Sequence, residues 1–113
     1  MVNHNPKEIE AKLIETKSML TGFYEPVDIG LFEVSTKKDT YYISARIVPK
    51  YGYFGTEMEK TFYYECWALL ADKNGNVETS RNRIELFHFS TKEPLIISDL
   101  KKDIKDNFYY VEY

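Results

Sequence analysis

The 113 residues carry 15 lysines and arginines against 18 aspartates and glutamates, a net charge of -3, with 43% apolar and 29% charged residues. One domain with a single core is expected at this length, and the composition excludes wholesale disorder. The charge argues against indiscriminate binding to duplex DNA, which needs a basic footprint.

At the N-terminus, Asn5-Pro6-Lys7-Glu8 reads as a helix start, with Asn5 as cap, Pro6 in the first helical position and Glu8 placed as in a capping box. The spacing predicts a helix over 6–20. Ile9, Leu13, Thr16 and Leu20 share one face with Met19 beside them, charged residues take most of the other, and Gly22 supplies the stop. From Val27 the period changes to two. Segments 28–36 and 41–48 flank Lys37-Lys38-Asp39-Thr40, which predicts a hairpin. A Lys38-Asp39 loop would pair Val34 with Ile43 and Phe32 with Ala45 on the inner side, and Leu31 with Arg46 on the outer side.

A second hairpin, 59–71 with 76–89, is expected around Asp72-Lys73-Asn74-Gly75-Asn76. A three-residue loop with Gly75 left-handed pairs Tyr64 with Ile84 and Phe62 with Leu86 inside, and Trp67 with Arg81, Glu65 with Arg83 and Tyr63 with Glu85 outside. The two-residue alternative would bury two arginines. Beyond Ser90, Thr91-Lys92-Glu93-Pro94 breaks the sheet, and Ser98-Asp99 opens a short helix to about Asn107, with Leu100, Ile104 and Phe108 four apart. The tail 108–113 is strand-like, and the expectation is that it pairs with a sheet edge. The predicted fold class is therefore α+β: an N-terminal helix packed on a twisted antiparallel sheet of four or five strands, closed by a short C-terminal helix, in one domain spanning 1–113.

Catalytic chemistry finds little support. Cys66 is the one cysteine, so no internal disulfide is possible, and His4 and His88 are the two histidines. In the predicted register His88 faces Lys60, about 20 Å along the strand from Cys66, which argues against a dyad. Cys66 among Phe62, Tyr64 and Leu70 reads as a buried, inert thiol. Neither a metal-ligand spacing nor a glycine-rich phosphate cradle occurs, so no enzyme activity, metal or cofactor is expected. Asp72-Lys73-Asn74-Gly75-Asn76 resembles half a calcium loop, but a β-turn accounts for every residue. Met1-Val2-Asn3-His4-Asn5-Pro6 lacks the apolar run of a signal peptide and Leu95-Ile96-Ile97 is too short to cross a bilayer, so a cytoplasmic protein with no membrane partner is expected.

What survives is a recognition surface. Residues 36–83 carry eight basic and six acidic side chains between acidic flanks, and all three arginines fall there. Arg46, Arg81 and Arg83 are expected on the outer sheet face with Tyr63 and Trp67. Tyr51, Tyr53 and Phe54 lie in a glycine-flanked connection, Pro49 to Thr56, where three aromatics are costly to leave in water. Trp, Tyr and Arg are favoured interface anchors, which predicts a non-catalytic binding or regulatory module acting on a protein partner or on a second copy of itself. The same residues could instead hold RNA or single-stranded nucleic acid by stacking and phosphate contacts. Lys50-Tyr51-Gly52-Tyr53-Phe54 breaks the RNA-recognition signature by one inserted residue. A third reading is a small-molecule-binding or enzymatic half-barrel with its pocket between helix and sheet. Equally, partly buried tyrosines and arginine–glutamate pairs serve ordinary sheet surfaces with no partner at all.

Overall fold

Alternation of period two governs far more of the chain than its N-terminal sequence suggests. The computed structural model describes residues 9–20, 25–77 and 84–108. Within them, β1 (Glu10–Met19), β2 (Val27–Ser35), β3 (Thr40–Tyr53), β4 (Lys60–Ala71) and β5 (Glu85–Thr91) form one antiparallel sheet in sequential order. A 3-10 turn (Ile97–Leu100) leads into the single helix α1 (Lys101–Asn107), which lies across one face.

The expected helix over 6–20 is instead the strand β1 over Glu10–Met19, and none of its described residues is helical. A repeat of four residues fits a helical stripe, but four is also a multiple of two, so Ile9 and Leu13 share a face in either conformation. Ala11 settles the matter. It would sit off the stripe of a helix, but in β1 it completes an inward row of Ile9, Ala11 and Leu13, with Ala11 paired to Val34 and Leu13 to Phe32, while Glu10 and Lys12 face away. The register shifts between Leu13 and Glu15, which makes Ile14 the extra residue of a bulge and leaves it exposed. The mostly antiparallel sheet and the short C-terminal helix stand, and among the described residues no helix packs on the sheet from the N-terminal side.

The first hairpin closes through a longer turn than a Lys38-Asp39 loop. Thr36 organises it: its amide donates to the Asp39 carbonyl (2.9 Å), and its Oγ1 accepts from the amides of Lys38 (3.2 Å) and Asp39 (3.1 Å). Phe32 therefore pairs with Ile43, Val34 with Tyr41 and Gly30 with Ala45, two residues away from the expected pairs. A slip of two exchanges partners but keeps each side chain on its face, so the division of β2 and β3 into inner and outer sides is as the alternation predicts.

The second hairpin departs further. Gly75 is left-handed (φ +84°), and Ala71 pairs with Val77, both as the bulged loop requires. The returning strand, however, joins β4 seven positions later than expected: Ala68 pairs with Phe87, Trp67 with His88 and Cys66 with Phe89. An odd displacement exchanges the faces of β5. Phe87 turns toward the core, and His88 turns outward beside Trp67.

The core lies between the inner face and the C-terminal segment. Ile97, Leu100, Ile104 and Phe108 pack on Phe32, Val34, Ile43, Ala45, Ile47, Cys66, Ala68 and Leu86, all buried. The spacing of Leu100, Ile104 and Phe108 is the helical stripe read from the sequence. Neither Ser98 nor Asp99 caps the helix with a side-chain hydrogen bond; the 3-10 turn feeds straight into it. Phe108 sits in this helical turn, its ring edge-on to Tyr41 at 5.2 Å, rather than in a strand. The expected edge pairing of the tail beyond it lies outside the described residues.

Candidate functional site

The helix α1 packs on the inner face of the sheet, and the outer face carries a row of basic and aromatic side chains. Strand pairing places Lys17, Ile29, Arg46, Trp67 and His88 side by side in one row across all five strands. The Trp67 and His88 rings stack with centroids 4.5 Å apart and planes 12° from parallel. Trp67 is half-buried, whereas Arg46 and His88 are exposed. Arg46 forms no ion pair with another described residue.

Of the eight side chains singled out from the sequence, Arg46, Trp67, Tyr63 and Phe54 share this outer face. Tyr63 lies four residues from Trp67 on β4, about 13 Å at strand rise, and its ring meets Phe54 at 5.4 Å. Tyr51 and Tyr53 do not join them. The connection expected at 49–56 is mostly strand: β3 runs to Tyr53, and Tyr51 pairs with Phe62 on the inner side, their centroids 4.7 Å apart. Lys60 Nζ lies 6.0 Å from the centre of the Tyr53 ring. Pairing with β2 ends at Ile47 and pairing with β5 ends at Tyr64, so the ends of β3 and β4 form a two-stranded ribbon with aromatics on both sides. Arg81 and Arg83 lie outside the described residues.

The sequence pointed to β4's outward residues but missed the neighbours that surround them. Lys17 was assigned to a helix, and His88 was placed on the wrong face by the seven-residue displacement. The turn at the end of β4 is legible as a turn, but only folding brings it over the sheet. Leu31 is 6% exposed although no helix covers its side, because the Asn74-Gly75 turn lies above it: a Cβ built on Gly75 would stand 3.8 Å from Leu31 Cδ2. Asp72 holds that turn. Its Oδ1 accepts from the amides of Asn74 (2.9 Å) and Asn76 (3.0 Å), and its backbone carbonyl accepts from the Gly75 amide (2.9 Å). These oxygens are thus committed to their own backbone, as a turn rather than half a calcium loop demands.

The amide of Asn76, with a smaller contribution from Asn74, holds the Asp72 carboxyl below its ordinary value of 3.8. A folded value below the unfolded one means that the turn gains from ionised Asp72 at and above pH 3.8 and loses that gain as pH falls through the lower folded value. In an NMR titration the Asn74 and Asn76 amides should move together with one midpoint below 3.8. A midpoint at or above that value would contradict the geometry.

Cys66 is buried, and burial, with a lesser contribution from the Asp103 charge, pushes its thiol up to about 12, so it stays protonated at neutral pH. His88 is one residue pair away rather than 20 Å along the strand, but it faces the other side of the sheet, which still separates the two. The half-barrel pocket is expected between an N-terminal helix near Leu13 and the inner strands; Leu13 lies on β1 instead, and the inner face is covered by Ile97, Leu100, Ile104 and Phe108. Among the described residues no three His, Cys, Asp or Glu side chains gather as metal ligands, and no helix is long and apolar enough to cross a membrane. No protein-family model, curated protein or solved structure matches the chain.

Proposed function

We propose that this chain is a small non-catalytic binding protein of the cytoplasm that regulates a protein partner by occupying it through the outer sheet face. The observation that carries this reading is the pairing of Arg46 with Trp67 at the middle of a face that no described helix covers. A half-buried Trp beside an exposed Arg with no ion-pair partner among the described residues is the composition of an interface anchor: a broad apolar surface already held in place and a cation ready for an acidic side chain. The ribbon at the ends of β3 and β4 extends the same surface through Tyr63 and Phe54, while its Tyr51 and Tyr53 lie on the opposite side.

Charge favours a protein over RNA or single-stranded nucleic acid. Along the outer face of the described strands, Lys12, Lys17, Arg46 and Lys50 are matched by Glu10, Glu15, Glu33, Glu65 and Glu85. A phosphate chain needs an excess of cations, whereas a mixed face suits a protein surface of complementary pattern.

Immobilised protein should capture its partner from cell lysate, and Trp67→Ala should reduce capture by about 30-fold, the loss of a strong anchor, with the thermal midpoint unchanged. Undiminished capture by a folded Trp67→Ala variant would sink the assignment. Binding of a labelled single-stranded RNA that weakens steeply with salt would favour nucleic acid instead.

A further inference from the structure

Between the outer face of β1–β3 and the turn after β4 lies a groove of about 350 Å³, whose lining includes Lys17, Ile29, Leu31, Ser44, Arg46 and Asn74. That size falls at the lower end of small-molecule sites. Its parts are arranged by the strand register. Lys17 and Arg46 flank Ile29 in one row, on alternate strands about 10 Å apart, and both side chains are long enough to lean over it. The next row places Glu15, Leu31 and Ser44 side by side, and the Asn74-Gly75 turn stands above Leu31.

Two features point to a ligand. Ser44 is 2% exposed, its hydroxyl makes no hydrogen bond to a described residue, and no side-chain oxygen among those residues is sealed off without a partner. What remains exposed of Ser44 therefore includes Oγ, and Ser44 lines this groove. An otherwise buried hydroxyl opening only into a groove is a donor waiting for an acceptor. Second, Lys17 and Arg46 form no ion pair with any described residue, and Glu15 is the one carboxylate of the lining, which leaves one positive charge in excess. The floor beneath them, Ile29 and Leu31, is apolar.

We propose that the groove binds a small organic monocarboxylate with an apolar body. The carboxylate lies between Lys17 and Arg46, the apolar body rests on Ile29 against the edge of the Asn74-Gly75 turn that covers Leu31, and the Ser44 hydroxyl donates to a ligand oxygen. One negative charge balances the local excess, whereas a dianion would meet Glu15. Inorganic phosphate would waste the apolar floor. This site shares Arg46 with the protein-binding surface but not Trp67, which is not among its lining residues.

The probes are 3-phenylpropanoate and its neutral counterpart 3-phenylpropan-1-ol, titrated into the full chain and followed by amide NMR shifts. The acid should saturate with a dissociation constant of about 1 mM, as its size allows. Its shifts should centre on Ile29, Leu31, Ser44 and Asn74, and the alcohol should bind at least tenfold more weakly. Arg46→Met and Lys17→Met, both on exposed side chains, should each weaken the acid severalfold and narrow the gap between acid and alcohol, whereas Trp67→Ala should leave both constants within twofold. Ser44→Ala should weaken the acid with the thermal midpoint unchanged. No saturable shift up to about 20 mM, equal binding of acid and alcohol, or shifts centred elsewhere would overturn the proposal. Loss of partner capture in Trp67→Ala with acid binding intact would separate the two readings.

Discussion

Phe108→Ala should cost about 3–5 kcal/mol, the range for emptying a fully buried phenylalanine site. Phe108 is 0% exposed, the last residue of the apolar row Leu100, Ile104 and Phe108, and its ring is edge-on to Tyr41 on β3. That contact joins the C-terminal segment to the middle of the sheet, so the substitution removes both the buried ring and the aromatic pair, the latter worth about 0.5–1.5 kcal/mol within the total. A domain of this size holds only about 5–15 kcal/mol, so at least about a fifth of its stability is at stake. Urea denaturation should show a lower midpoint with an unchanged slope. A loss under about 1 kcal/mol would mean that the helix does not seal the core at this point.

Gly30→Val should be comparably severe, for the opposite reason. Gly30 is buried in β2, between Thr16 and Ala45, and its φ is not positive; the constraint is space. A Cβ at this position would stand 2.3 Å from Ile97 Cγ2 and 3.2 Å from Leu13 Cδ1. Leu13 can turn aside, but Ile97 is branched at Cβ, stiff at χ1 and set in the 3-10 turn that introduces α1. Relief therefore requires the turn to lift, carrying Leu100 and Ile104 with it. A loss of about 3 kcal/mol, the upper end for overpacking, is expected. The pair Gly30→Ala and Ile97→Ala offers a sharper check, because the second substitution deletes the clashing Cγ2. In a double-mutant cycle the pair should lose less than the sum of its parts by about 1 kcal/mol or more. Strict additivity would mean that the two residues do not touch.

Both predictions concern the inner face, and the outer face depends on them indirectly. The row from Lys17 to His88 is in register only while the five strands are held flush, and the C-terminal segment is what clamps them from behind. Destabilising that clamp should thus weaken the groove and the Arg46–Trp67 surface together, as should a substitution at Arg46, which belongs to both, whereas substitutions at Lys17 or Trp67 act singly.

How much of this was legible in advance depends on how local the deciding interactions are. The division of β2 and β3 into faces follows from side-chain alternation alone, because even a turn of unexpected length slipped the register by two and moved no side chain across the sheet. The left-handed Gly75 turn and the Leu100–Ile104–Phe108 stripe are likewise written in a few neighbouring residues. Cys66 as an inert thiol follows from the apolar residues beside it. The conformation of β1 was not decided at that range. Ile9 and Leu13 satisfy both periods, a plausible cap stood before them, and only the partners Val34 and Phe32 select the strand. The placement of β5 is less local still. Ala71–Val77 obeys the turn, but the strand that returns is positioned by burying Phe87 and Leu86 against the core, and that choice puts His88 rather than Arg81 beside Trp67. The sequence by itself determined the antiparallel alternation of β2, β3 and β4 and the outward placement of Arg46, Tyr63 and Trp67. Only tertiary structure decided which of them meet, because register across a long connection is chosen by burial summed over the whole sheet and not by the turn that begins it.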